Sequence, residues 1–236
     1  VRNPKEGLQM IPTDSIVLKL DKEAIKRSGM MIPKALNGEI PEYMHISLKG
    51  KRALYKSELM MLEMLANTNW ERPMYMAITV ASENHLNMGN NFMQEGLAYR
   101  ITPFNTTQLN ARIDTEKMYD NLMHKFKFGN ISQDDIYLDE TIMRMSQTHR
   151  RMFIQLASQL IKEGKNDKAL KALDYCQEVI PSKNVPHDFI MSSSKEMADD
   201  YIALGEIKKA ETILDELANK AIEYITWYMS LDDEKL

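Results

Sequence analysis

Trp70, Arg72 and Tyr75 lie within Asn69-Trp70-Glu71-Arg72-Pro73-Met74-Tyr75, and Glu95, Tyr99 and Arg100 within Gln94-Glu95-Gly96-Leu97-Ala98-Tyr99-Arg100. Both segments border runs that read as strands, and α/β sheets commonly bind ligands at strand ends. A guanidinium fork, a carboxylate and aromatic faces gathered there are the parts of a polar ligand site. With a closed pocket around them they would make an enzyme's own site. The simpler reading is that Arg72, Glu95 and Arg100 pair with one another and satisfy the strand ends.

The other reactive residue types do not assemble into a motif. The five histidines, at 45, 85, 124, 149 and 187, show neither the four-residue spacing of a zinc-binding helix nor a neighbouring cysteine pair. Cys176 stands alone, without an adjacent base, at a small-residue position of a helical pattern, so it reads as packing. Asp134, Asp135, Asp139 and Glu140 lack the alternation, glycine and terminal glutamate of a calcium loop. No phosphate-cradling loop, nucleophile elbow or dinucleotide fingerprint is present. Asn105-Thr106-Thr107 and Asn130-Ile131-Ser132 fit the N-glycosylation acceptor pattern, which chance supplies often. No catalytic residue, cofactor or metal ligand is assigned.

The elements that must position the six candidate residues are short. Residues 15–20 read as a strand, 22–28 as a helix closed by Gly29, and 43–55 as a hairpin about Lys49-Gly50. Ser57 caps an apolar helix running to Ala66 that other elements must cover. The continuous apolar run 74–80 predicts a strand buried on both faces, 87–95 a helical stretch, and 97–102 a second strand stopped by Pro103.

From Asp114 the period becomes helical, with Met118, Leu122 and Phe126 on one stripe, and 129–135 forming a polar connector. Four helices follow, over 138–163, 167–179, 189–204 and 207–229. Phe153, Leu156, Ala157, Leu160, Ala169, Leu173, Cys176 and Pro181 occupy the positions of a tetratricopeptide unit. Met197, Ala198, Tyr201, Ala210, Leu214 and Leu217 offer a second, set late by an insertion over 184–190. The predicted fold is therefore α+β and mainly α. A small α/β layer (1–112) precedes tetratricopeptide-like helical hairpins (113–236), packed as one body.

The composition, 44% hydrophobic and 27% charged with a net charge of −4, is that of a globular chain and supplies no basic field for nucleic acid. Nineteen methionines stand mostly where Leu or Ile would serve, which makes them core filler. No window reaches the roughly 18–20 apolar residues of a membrane span, and the first fifteen residues lack a signal-peptide core. The start at Val1-Arg2-Asn3-Pro4 points to a longer parent protein.

The segments 54–60, 69–77, 95–100, 119–123, 125–130 and 137–140, together with Asp114-Thr115, resemble the soluble C-terminal region of a bacterial membrane-protein family. It is the family catalogued as domain of unknown function 2723, which is similar to protein O-mannosyltransferases. That resemblance implies glycosyltransferase-like chemistry in a membrane-embedded N-terminal part and a domain such as this one on the periplasmic face of the inner membrane. It carries no catalytic residue to this chain. It implies a non-catalytic recognition or scaffolding domain with a protein or glycan partner. The alternative is an enzyme with its own site at Arg72, Glu95 and Arg100. Asp14-Ser15-Ile16 is similar to an O-glycosylation acceptor triplet of such bacteria.

Overall fold

A computed structural model describes residues 13–51, 53–189 and 192–231. The first residues of the chain, Arg52 in the expected hairpin and Ile190 at the end of the expected insertion lie outside the described residues. The fold is mixed and mainly helical, with small antiparallel sheets confined to the N-terminal side. Two compact units divide at Asp114.

In the first unit β1 (Ser15–Lys19) pairs antiparallel with β2 (Tyr43–Ser47), Ile16 opposite Ile46 and Leu18 opposite Met44. The expected hairpin about Lys49-Gly50 is thus not formed. Met44, Ile46 and Leu48 alternate inward and find the matching face of β1, while Gly50, at φ 81°, turns the chain away. Between these strands α1 (Lys22–Arg27) is capped by Asp21, whose carboxylate accepts from the amides of Glu23 and Ala24. α2 (Lys56–Asn67) begins one residue before Ser57, and Glu58 accepts from the Tyr55 amide in the capping role. Leu62 and Leu65 are buried, but Leu59, Met60 and Met64 stay exposed, so the expected full covering of this helix is absent.

β3 (Tyr75–Ala77), β4 (Phe92–Gln94) and β5 (Ala98–Ile101) form a second antiparallel sheet in the order β3-β5-β4. The apolar run 74–80 supplies only three strand residues at a sheet edge with Tyr75 and Ala77 exposed, not a strand buried on both faces. Nor does 87–95 form a helix. Leu86 and Asn87 both adopt left-handed backbone, a single turn follows, and Phe92, Met93 and Gln94 become the fully buried β4. Trp70, Leu86, Met88, Phe92 and Phe104 centre the core beneath both sheets.

In the second unit α3 (Thr115–Asp120) runs into a π-helical turn, Asn121–Lys125, closed by the Phe126 amide on the Asn121 carbonyl at 2.8 Å. The expected helical stripe therefore stops before Phe126, which is extended. α4 (Glu140–Lys162), α5 (Asn166–Val179), α6 (Ser194–Ala203) and α7 (Ile207–Met229) form two hairpins, α4 on α5 and α6 on α7, with α6 also against α4. Gly164 and Gly205, both left-handed, stop the first helix of each hairpin and turn the chain into the second.

Phe153, Leu156, Ala157, Ala169, Leu173 and Cys176 are all fully buried, as the repeat register requires. In the second hairpin Met197, Ala198, Tyr201, Ala210 and Leu217 follow suit, but Leu214 is exposed. The late register turns it off the core-facing stripe of Ala210, Ile213 and Leu217. Ala169→Leu is expected to overpack the α4–α5 crossing and cost about 1–3 kcal/mol, read as a lowered denaturation midpoint. An unchanged midpoint would contradict the close crossing.

Candidate functional site

The antiparallel register sets Tyr75 opposite Arg100 and Met93 opposite Arg100 on its other side, placing the guanidinium at the centre of the second sheet. Glu95 follows β4, at the turn made possible by Gly96 at φ 134°. Arg100 and Glu95 are both buried, with Nη1 3.6 Å from Oε1. The Tyr75 hydroxyl donates to Glu95 Oε2 at 2.7 Å. Arg100 Nη2 donates to the Ser28 carbonyl at 3.0 Å and to its Oγ at 3.3 Å, and Nη1 to the Gly29 carbonyl at 3.4 Å. Burial, reinforced by the bond to Glu95, pushes the Tyr75 hydroxyl up to about 12, so it remains a donor at neutral pH.

Three of the six predicted residues are thus brought together: Tyr75, Glu95 and Arg100. The others are not. Trp70 is buried, and Tyr99 stacks on Phe92 with centroids 5.5 Å apart; both pack in the first unit's hydrophobic core. Arg72 is exposed and makes no ion pair among the described residues. The expected grouping of Arg72 with Glu95 and Arg100 is therefore corrected. Pro73 ends the turn before β3 starts, leaving Arg72 outside, whereas Arg100 sits within the central strand. The cluster closes a sheet onto the Ser28-Gly29 turn after α1, with both Nη atoms of Arg100 engaged by Glu95, Ser28 and Gly29, while its Nε is buried without a hydrogen-bond partner.

A different arrangement appears in the second unit. The π turn ends at the extended Phe126, and residues 126–128, outside any helix or strand, face Tyr175 and Val179 of α5 across an open cleft of about 560 Å³. Its walls include His124, Phe126, Lys127, Phe128, Tyr175 and Val179. Tyr175 and Val179, four apart, share one face of α5. Phe128 meets Tyr175 edge-on at 6.2 Å, Phe153 at 5.7 Å and His149 at 5.8 Å, which fixes the aromatic floor. Asn184 Nδ2 donates to the carbonyls of Ile131 and Gln133, both at 2.7 Å, pinning the connector beyond the cleft. Lys127 and His124 contribute basic side chains, and no acid lines the cleft. In the sequence this stretch reads only as a helix end and a polar connector, so the cleft was missed. Its available signal was the alternation Phe126-Lys127-Phe128, a strand period inside a helical pattern.

The remaining perturbed groups serve the scaffold. Hydrogen bonds from Lys165 and Lys168 hold the Glu116 carboxyl at about 2, tying α3 to the start of α5. Burial pushes the Cys176 thiol up to about 12, which removes its nucleophilic form at neutral pH. His187 is buried against the Ser194 hydroxyl at 2.7 Å, and burial pushes its pKa down from 6.5 to about 3, with Arg150 adding repulsion. The folded protein keeps His187 neutral while the unfolded chain protonates it, so its contribution is intact above pH 6.5 and is lost as pH falls toward 3. Asp200, raised to about 6 chiefly by burial, works in the opposite sense, since its folded form takes up a proton first. Comparison of the natural protein with His187→Gln isolates the histidine. The natural protein should lose on the order of a few kcal/mol more stability across that window. Identical pH profiles would contradict the buried neutral state.

Residues 2–117 match the family model of TMEM260-associated domain 2, a domain of a membrane-protein family, and the match ends close to the unit boundary at Asp114. No curated protein and no solved structure matches the chain. Among the described residues no helix is long and apolar enough to cross a membrane, and no group of three or more His, Cys, Asp or Glu side chains is placed to hold a metal ion.

Proposed function

We propose that this chain is a non-catalytic recognition domain of a membrane protein and that its ligand surface is the aromatic cleft of the second unit. The membrane setting rests on the match over residues 2–117. The bacterial, periplasmic and glycosyltransferase-like parts of the reading rest on the motif resemblance to domain of unknown function 2723. In that reading the transferase chemistry belongs to the membrane-embedded part, and this domain holds an acceptor polypeptide or glycan outside the membrane.

The observation that carries the proposal is the contrast between the two polar-aromatic sites. At the strand ends the cation and carboxylate are buried, and the phenol, on an exposed edge residue, donates its hydroxyl to that carboxylate. In the cleft, aromatic faces and two basic side chains meet solvent. Binding sites are commonly concave surfaces in which aromatic side chains stand beside a few polar groups that fix orientation. Amide chemical-shift mapping tests this with two probes, an oligomannoside and an alternating apolar-acidic peptide. Shifts confined to residues 123–132 and 175–179 are expected. Shifts centred on Tyr75, Glu95 and Arg100 would instead favour a site at the strand ends.

A further inference from the structure

We infer that the cleft takes an extended polypeptide of alternating apolar and acidic side chains, which adds as a strand to the backbone of residues 126–128. This rests on the cleft being the recognition surface proposed above and goes further by committing to the occupant. The first observation is in the backbone. Phe126 spends its amide on Asn121, but among the described residues the amides of Lys127 and Phe128 and the carbonyls of 126–128 have no backbone partner. Phe126 has extended backbone, and Lys127 and Phe128 follow it outside any helix or strand along the cleft, so the segment offers unpaired donors and acceptors, the feature that strand addition uses.

The second observation is in the side chains. Phe128 is held in place by three aromatic neighbours and meets Tyr175 at the cleft floor, so a peptide's apolar side chains have a fixed surface to cover. On the rim Lys127 is exposed, makes no ion pair among the described residues, and stands with His124 in a lining without acids. A peptide strand sends successive side chains to opposite sides. One side therefore lies on the aromatic floor and the other meets Lys127 and His124, which fixes the alternation and its charge. Main-chain pairing would supply affinity, and the floor and rim would supply selectivity.

The test uses the whole chain and three labelled probes: acetyl-Glu-Leu-Glu-Leu-Glu-amide, its lysine counterpart, and the glutamate peptide N-methylated at both leucines. Fluorescence anisotropy gives affinity, and amide hydrogen exchange gives the site. The glutamate peptide should bind and slow exchange at Lys127, whose amide lies on the edge opposite to that of Phe126 in an extended segment. N-methylation should weaken it by about tenfold or more, since the pairing amides are lost. Lys127→Glu, a change at an exposed position, should weaken it similarly and improve binding of the lysine peptide. Equal binding of both charges, or indifference to N-methylation, would overturn the inference. Mannotriose protecting the cleft where the peptides do not would also overturn it while leaving the recognition reading intact. Failure of every probe to perturb residues 123–132 would overturn both.

Discussion

Arg150→Ala should destabilise the protein by about 3–5 kcal/mol, although Arg150 lies in neither candidate site. Its side chain is fully buried on the core stripe of α4 formed with Ser146, Phe153, Ala157 and Leu160. Nη2 donates to the carbonyl of Ile180 at 2.9 Å and of Val185 at 2.5 Å, and Nη1 to that of Pro186 at 3.1 Å. Ile180 is the C-cap of α5, so the cation also meets the negative end of that helix. One guanidinium thus closes the loop between the two hairpins, where backbone carbonyls would otherwise be buried without donors. Arg150→Lys should recover less than half of the loss, because an ammonium cannot reproduce the planar fork. Urea unfolding checks both variants, and a loss under about 1 kcal/mol for Arg150→Ala would contradict this role.

The second large effect belongs to the strand-end cluster. Arg100→Ala removes a buried cation that holds Ser28, Gly29 and Glu95, and is expected to cost about 3–5 kcal/mol by leaving the Glu95 carboxylate short of its cation. Arg72→Ala, at an exposed position, should stay within about 0.5 kcal/mol of the natural protein. The Arg100→Ala and Glu95→Gln double-mutant cycle should show a coupling of about 0.5–3 kcal/mol. Additive effects, or a large loss at Arg72, would mean that the pairing has been misassigned.

The helical half is the more legible in the sequence. Its core positions recur at fixed spacing, and close helix crossings demand small residues such as Ala169 and Ala210, so the spacing alone places Phe153, Leu156, Ala157, Leu160 and Leu173 in the core, where they are buried. The sheet half is less legible because its pairings are distant in sequence. Whether residues 43–47 turn back on residues 51–55 or cross to 15–19 depends on which partner presents a matching apolar face, and local patterning does not contain that. The same limit applies to the candidate site. Arg72 and Arg100 look equivalent as strand-end arginines, but their fates differ by where the strand begins. The cleft is obscured by the π turn, which breaks a helical stripe that the side-chain pattern alone continues through Phe126.

Protection from alkylation distinguishes a ligand in the cleft from one at the strand ends. Cys176 is fully buried and its thiol is pushed up to about 12, so a thiol introduced at an exposed position would be the reactive one. Ser132→Cys places it at the cleft wall, and Arg72→Cys places it at the edge of β3. The glutamate peptide or mannotriose, whichever binds, should slow modification of Ser132→Cys and leave that of Arg72→Cys unchanged. Slowing at Arg72→Cys alone, or at neither position with a bound probe, would contradict a ligand site in the cleft.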